Sequence, residues 1–464
     1  MQSIEDDDTI TAIATPPGVG GVGIIRISGG LVKNIAKVML GRSSLIPKLA
    51  VYTEFLSANK EAIDNGIAIF FQAPNSFTGE DVLEIQAHGG VVVLDLLLRR
   101  VLSLGARLAE PGEFSRRAFL HGKMDLLQAE SIISLIHAQT EQAAKAAVKS
   151  LQGEFSKQIN ALLQGVTNLR MYVEAAIDFP EEEVDFLEDN NIYKQLIKFK
   201  ESIYKILNQA QQGNLLSNGL KAVILGGANV GKSSLLNLLS GKDLAIVTNI
   251  PGTTRDVLIN KINIDGLLVD FSDTAGIRET QDHIEAIGIQ KAITEAREAD
   301  LILFMVDAKD FVEQEDFKSN LILAEWCADL RAKKIILINK IDLYNDDFLK
   351  TPEIIVKDEQ IIIFISVKNQ VGIDLLKQQI KKVAGFVEQE QVFTARTRHV
   401  TALQQVCVHL EQGVDFFKKK REGVFFELLA EELRLAQKFL SEITGVFTSE
   451  DLLAKIFAEF CIGK

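Results

Sequence analysis

The run Gly226-Gly227-Ala228-Asn229-Val230-Gly231-Lys232-Ser233 has the spacing G-x-x-x-x-G-K-S, which fits a polyphosphate. Glycines let backbone N–H groups face phosphate oxygens without side-chain interference. Lys232 is the cation for the β and γ phosphates, and the Ser233 hydroxyl is a magnesium ligand. The apolar residues Leu220 to Leu225 read as a buried strand, and Ser234 to Leu239 as the start of a helix. This strand–loop–helix context separates a phosphate loop from a Gly-rich turn.

Three further motifs follow in order. Asp273-Thr274-Ala275-Gly276 comes after the strand-like Leu267 to Phe271. Its aspartate suits magnesium through water, and its glycine N–H suits a γ phosphate. Asn339-Lys340-Ile341-Asp342 comes after the apolar Ile335 to Ile338. A carboxylate at Asp342 can accept the ring N–H and the exocyclic amine of guanine, a pair that adenine does not offer. Ser366-Val367-Lys368 follows Ile361 to Ile365 and suits the remaining base contact. Four such motifs imply a magnesium-dependent GTP hydrolase on a doubly wound, Ras-like α/β unit.

The elements that must position these residues occupy only part of 464 residues, a length for about three domains. Apolar content of 47% and charged content of 24% are ordinary for a globular chain. Cys327, Cys407 and Cys461 are far apart and form no metal spacing, which suggests a reducing, cytoplasmic setting. The acidic start lacks a secretory n-region, and no apolar run reaches membrane-spanning length. A net charge of −13 argues against a broadly basic nucleic-acid surface but leaves room for an RNA partner at a local patch.

The pattern predicts a multidomain α/β and α protein. Residues 1–120 read as an α+β unit, with strands at Ile10–Ala14, Gly23–Ile27, Ile67–Phe71 and Val82–Gln86 and a helix at Gly90–Leu104. Residues 121–216 are helical, with an acidic break at Pro180 to Glu183. The GTPase stretch spans 217–380, and helices return over 381–464. A helical unit interrupted by an inserted GTPase is the economical arrangement. Gly18 to Gly23 fits G-x-G-x-x-G, the dinucleotide fingerprint, but it leads into the strand-like Ile24 to Ile27. That fingerprint requires a helix start, so the loop reads instead as a close-approach turn.

Thr9 to Gly29, Phe77-Thr78-Gly79-Glu80-Asp81, His88-Gly89-Gly90, Pro111 to Ser115, Gly122 to Leu126 and the terminal Cys461-Ile462-Gly463-Lys464 resemble the MnmE (TrmE) family, and they flank the GTPase on both sides. The resemblance implies a potassium-dependent GTPase that forms a homodimer. With the FAD-containing MnmG (GidA), in a heterotetramer, it would modify carbon 5 of a tRNA wobble uridine with an aminomethyl or carboxymethylaminomethyl group. It implies 5-formyl- or methylene-tetrahydrofolate bound by the N-terminal, dimerising domain, with glycine or ammonium as the nitrogen source.

The same resemblance supplies the remaining site residues. Position 277, where many GTPases carry a water-orienting Gln, is Ile277. The family uses potassium instead, with Asn229 as the matching side-chain ligand. In Thr248-Asn249-Ile250-Pro251-Gly252-Thr253-Thr254, carbonyls of Thr248, Ile250 and Thr253 would join it, and Thr254 would be the second magnesium ligand. Pro251 stands where the family commonly has a small residue, and its ring stiffens the loop. Water positioning falls to Glu285 by the resemblance; the residues alone read it as a solvated acid like Glu279 or Asp282. Folate correspondence points to Arg26, Glu84, Lys123 and Lys464, one acid and three bases for a pterin and a glutamate tail. Glu84 also reads as an outward strand residue and Lys123 as a solvated loop residue.

Cys461 reads either as a nucleophile with Lys464 nearby or as a small core residue. His88, His121 and His137 have no ligand spacing. Two other function classes fit parts of the sequence: an RNA-binding GTP switch and a stand-alone one-carbon transferase. Wobble-base analysis of a deletion strain separates both from the modification reading.

Overall fold

The computed structural model describes residues 8–42, 44–178, 189–241, 260–272, 294–313, 332–344, 354–357, 360–387, 392–419, 425–445, 450–460 and 463. The N-terminal unit is a six-stranded sheet of β1 (Ile10–Ile13), β2 (Gly20–Ser28), β3 (Ala50–Leu56), β4 (Ala62–Phe71), β5 (Val82–Gly89) and β6 (Arg107–Leu108). The order is β3-β4-β5-β2-β1-β6, antiparallel except for β1 with β6. Helices α1 (Val32–Leu40) and α2 (Val91–Leu102) pack on one face, where Ile35, Met39, Leu97 and Val101 meet Ile25, Ile27, Leu83 and Ile85. Strand side chains alternate, so Arg26 leaves β2 on the opposite face, directly across from Glu84 of β5. A third helix, α3 (Glu113–Leu120), follows β6.

The strands expected near Ile10, Gly23, Ile67 and Val82 are present, as is the helix after Gly90. The edge strand β3 and helices α1 and α3 are additions to that expectation. β3 alternates exposed and half-buried residues from Ala50 to Glu54 and then buries Phe55 in the sheet's core. β2 starts at Gly20, so the Gly-rich run ends inside a strand and no helix start is there for a dinucleotide.

Next come α4 (Leu126–Ile136), α5 (Glu141–Leu151), α6 (Glu154–Asp178) and α7 (Asp189–Asn218). The inserted sheet contains β7 (Leu220–Gly226), α8 (Lys232–Ser240), β8 (Asn260–Ile264), β9 (Leu267–Ser272), β10 (Leu301–Asp307), α9 (Ala308–Glu313), β11 (Lys333–Asn339), β12 (Ile354–Lys357), β13 (Gln360–Phe364) and α10 (Ile373–Ala384). Its order is β12-β13-β11-β10-β7-β9-β8, with β13, β11, β10, β7 and β9 parallel. The central strands are apolar on both faces, as a covered parallel sheet requires. β9 lies on one side of β7 and β10 on the other, which opens a crevice at their carboxyl ends.

The chain then returns through α11 (Thr397–Lys419), α12 (Phe425–Thr444) and α13 (Glu450–Ala458). Helices α6, α7, α11 and α12 share one core, with Ile159, Val166 and Val173 of α6 at helical spacing against Leu196, Leu403 and Leu433. α13 and the turn after it lay Ile456, Phe457 and Phe460 on Leu126, Ala129 and Ile133 of α4. Beyond it, Gly463 sits at φ +96°, where a Cβ would stand 2.7 Å from the Ile13 carbonyl oxygen. No described helix is long and apolar enough to cross a membrane.

A charged knot is buried where the returning chain meets α4. Glu130, 3% exposed in its side chain, receives Arg398 Nε at 2.9 Å and Nη2 at 2.8 Å. His399, itself buried, places Nε2 2.8 Å from Glu130 Oε2, while its Nδ1 accepts the Arg396 backbone N–H at 3.1 Å. The Nδ1 acceptor role fixes the neutral Nε2–H form, consistent with burial pushing the imidazole pKa down. Burial alone would raise the Glu130 pKa, but His399 and the Arg398 fork outweigh it and hold the carboxyl well below its usual range.

Candidate nucleotide-binding site

The phosphate loop leaves β7 and enters α8 with Gly231 at φ +107°. A Cβ on Gly231 would lie 2.4 Å from Asn339 Nδ2, so glycine is needed there for conformation and for space. Asn229 adopts φ +59° and is exposed at the loop crest. Lys232 donates to the carbonyls of Gly226 at 2.8 Å and Gly227 at 2.6 Å, closing its own loop. Burial lowers its pKa, and the two carbonyls it donates to are neutral. A phosphate oxygen would give this ammonium an opposite charge. Ser233 and Ser234 are exposed on the first turn of α8, and Val230 is buried beneath the loop.

Asn339 ends β11 and is 2% exposed. Its Nδ2 donates to the Val230 carbonyl at 2.8 Å, and its Oδ1 accepts the Val367 N–H at 3.1 Å. One amide thereby joins the phosphate loop to the Ser366-Val367-Lys368 turn. Asp342 lies in the short 3-10 turn Ile341–Leu343, and its Oδ1 accepts from the Ser366 hydroxyl at 2.6 Å. That hydroxyl also accepts the Asn369 N–H at 3.1 Å, and Ser366 pairs with Val371 through backbone bonds of 3.0 Å in both directions. The carboxylate is thus aimed by a serine that is itself fixed. Lys368 is exposed at the rim. Lys340 takes φ +69° and ion-pairs Asp307 at 2.7 Å.

The residues present fit a guanine nucleotide: backbone donors and a lysine at one end, an oriented carboxylate and a neutral turn at the other. Ser233 fits magnesium as an exposed hydroxyl beside the phosphate loop, and Asn229 offers an exposed amide oxygen for a larger cation. The expected partners Thr248, Asn249, Ile250, Pro251, Gly252, Thr253 and Thr254 lie outside the described residues, as do Asp273, Thr274, Ala275, Gly276 and Glu285.

The expected folate residues come partly together. Arg26 donates Nε to Glu84 Oε1 at 2.9 Å and Nη1 to the Gly463 carbonyl at 3.2 Å. The Phe77 and Phe114 rings lie 5.4 and 5.8 Å from its guanidinium carbon. Gly463 of the C-terminal tail therefore reaches the Arg26–Glu84 pair of the N-terminal sheet, while Lys464 and Cys461 lie outside the described residues. Lys123 donates instead to the Pro74 carbonyl at 2.9 Å, on the loop that carries Phe77.

Two features escaped the sequence reading. Arg117, 3% exposed in its side chain, ion-pairs Glu80 at 3.0 Å, Glu113 at 3.0 Å and Asp8. Asp307 was the other: an acid that ends the apolar run Leu301 to Val306 was the local signal, and its place beside Asn339 comes only from the register of β10 and β11.

Comparison with known proteins matches residues 126–461 to the MnmE helical domain and residues 9–123 to the GTP-binding protein TrmE N-terminus. The tRNA modification GTPase MnmE of Hydrogenovibrio crunogenus is 51% identical over 459 residues, covering 99% of each chain. That of Histophilus somni is 50% identical over 464 residues, covering 98% of this chain and 99% of its own. Among solved structures, Aquifex aeolicus Era bound to GDP.AlF4− is 26% identical, covering 45% of this chain and 69% of its own at a TM-score of 0.26. With half of its residues identical across nearly its full length, this chain belongs to the MnmE (TrmE) family.

Proposed function

We propose that the protein hydrolyses GTP to GDP and phosphate in the modification of tRNA wobble uridines. The observation that carries this reading is the Asn339 amide, which ties the phosphate loop to the turn that orients Asp342, in a chain of the MnmE family. In the proposed cycle Lys232 exchanges its loop carbonyls for β and γ phosphate oxygens. Asp342 accepts the guanine N–H groups, and the Ser366–Lys368 turn meets the base oxygen. Glu285 would orient the attacking water.

Magnesium, held through Ser233, Thr254 and Asp273, would neutralise phosphate charge. Potassium, held through Asn229 and carbonyls of Thr248, Ile250 and Thr253, would supply the positive charge that a finger residue supplies elsewhere. Arg26, Glu84, Lys123 and Lys464 are proposed to hold a reduced folate as the one-carbon source. The same proposal includes the divisions at 120, 216 and 380, a homodimer, an FAD-containing MnmG partner, tRNA as substrate and a cytoplasmic setting.

The test is hydrolysis of GTP against ATP, in potassium against sodium, with Glu285→Ala alongside. The expected result is GTP-selective, potassium-stimulated turnover that the substitution abolishes. Equal hydrolysis of both nucleotides would overturn the guanine reading. Equal rates in both salts would overturn the potassium site, and stimulation that survives Glu285→Ala would move water positioning to Asp282 or Glu279.

A further inference from the structure

The motif Asn339-Lys340-Ile341-Asp342 has three polar side chains, and each is fixed by a neighbouring element. Asn339 is held by the phosphate loop and by Val367. Asp342 is held by Ser366. Lys340 is held by Asp307, whose Oδ2 takes its ammonium at 2.7 Å. Asp307 ends β10 directly beside Asn339 in the parallel register of β10 and β11.

We infer that Asp307 is a positioning residue for nucleotide binding, acting through Lys340. The inference rests on the guanine-nucleotide reading. Its geometry follows from the sheet order β13-β11-β10-β7. The base-contacting turns leave β11 and β13, and the phosphate loop leaves β7. A nucleotide joining them crosses the carboxyl ends of β11 and β10. The Lys340 stem runs across that edge, from the end of β11 to the end of β10. Its methylenes therefore form an apolar strip beneath the base, while Asp307 keeps the charge at the strip's far end.

Two details support a dedicated role. Lys340 adopts a left-handed φ of +69°, which a side chain with a Cβ takes rarely. That turn is what sends its stem sideways rather than onward along the strand. Asp307 also divides its labour. Oδ1 accepts the Lys309 N–H at 3.0 Å as a cap of α9, and Oδ2 alone meets Lys340. Its side chain is 20% exposed and that of Lys340 33%, so the pair is neither free in solvent nor locked in a core. Burial would raise the Asp307 pKa, but the Lys340 hydrogen bond and the Lys309 N–H outweigh it, so the carboxylate stays charged.

Without Asp307 the Lys340 side chain must be immobilised at each binding event, which corresponds to about a tenfold rise in Kd. The effect is equal for GDP and GTP, because the pair lies away from the γ phosphate. The discriminating substitution is Asp307→Asn, which keeps an oxygen for the Lys309 N–H and presents an amide to Lys340. A fluorescent GDP analogue would be titrated into the full-length chain, its Asp307→Asn and Lys340→Ala variants, and the double variant, with thermal unfolding of each nucleotide-free protein in parallel.

The expected result is about tenfold weaker binding for Asp307→Asn, and no further loss on adding it to Lys340→Ala. Wild-type affinity in Asp307→Asn overturns the inference. So does an equal loss in both backgrounds, which would mean that Asp307 acts without Lys340, through the α9 cap. A wild-type chain that binds GDP no better than ADP would overturn the guanine-nucleotide reading itself.

Discussion

Glu130→Gln should destabilise the helical unit by about 3 kcal/mol, because it breaks a buried ion pair while leaving the cation in place. Glu130 is 3% exposed and receives both arms of the Arg398 fork. A glutamine retains one acceptor and turns its amide donors toward the guanidinium. Removing one partner of a buried pair costs about 3–5 kcal/mol. Arg398 keeps 23% of its side chain exposed, so water recovers part of that loss and the lower end applies.

For a unit of this size the thermal midpoint falls by about 6–12 °C, read by circular dichroism at 222 nm where the helices dominate. Glu431→Gln is the control, since Glu431 and Arg434 pair on the surface of α12 with side chains 52% and 48% exposed. No resolvable shift is expected there. An equal shift in both variants, or none in Glu130→Gln, would refute the claim that burial sets the value of this pair.

The same knot predicts an acid limb. His399 is held neutral by burial, so its folded pKa lies below the unfolded value of 6.5. The unfolded chain then binds the extra proton as pH falls below about 6.5, and stability declines. Glu130 is also depressed, so its contribution is complete above the unfolded value of 4.5 and is lost as pH falls toward its folded pKa. Glu130→Gln should make the decline below about pH 4.5 shallower without abolishing it, because Asp8, Asp64 and Glu113 are lowered as well, and thermal unfolding across pH would read the difference.

Two further outcomes follow from single side chains. Asn339→Ala strands the Val230 carbonyl and the Val367 N–H, at about 1–3 kcal/mol each, and should weaken GDP binding at least tenfold by calorimetry. Unchanged affinity would mean that the phosphate loop and the base turn hold their places without it. Cys407 is buried, and burial, with Glu411 adding to it, pushes its thiol pKa up to about 11. At pH 8 iodoacetamide should leave Cys407 unmodified in the native protein and alkylate it in urea, as peptide mass spectrometry would report; rapid native labelling would contradict that burial.

The phosphate loop and the Asn339 motif stand out because each follows a strand that is apolar on both faces, and such runs are visible in any sequence. Ile335 to Ile338 and Leu220 to Leu225 announce the strands that end at Asn339 and at the phosphate loop. What was not legible depends on register. Asp307 and Lys340 are remote in sequence and become neighbours only because β10 and β11 are parallel and in step. Glu130 had a local signal that passed unread: a lone acid in the apolar run Leu126 to Ile136, which must be paired if the helix is buried on that face. β3, with Val51, Tyr52, Phe55 and Leu56 around the exposed Glu54, also had an apolar signal that passed unread.

The inserted unit is not joined by a free hinge, and the reason lies in two adjacent residues. Val392 belongs to the core of the inserted sheet and Phe393 to the core of the helical unit, where its ring stacks on Phe155 at 4.1 Å. An extended chain presents successive side chains to opposite sides, so this short return segment stitches the two cores together. Ser150 of α5 accepts the Thr394 N–H at 2.9 Å, and the Gln212 amide of α7 accepts the Val387 N–H at 3.0 Å while donating to the Gly385 carbonyl. α5 itself sends Ala143 and Ala146 into the sheet's core. Rotating the inserted unit as a rigid body would expose Val392 or Phe393, each worth about 1.5–3 kcal/mol of burial, and break these bonds as well. The less costly movement carries α5 and the return segment along with the sheet. Since Gln128 of α4 donates to the Leu151 carbonyl at the end of α5, and α4 packs on the C-terminal helix α13, a displacement of the nucleotide unit bears first on the elements that lead to Gly463 and Arg26.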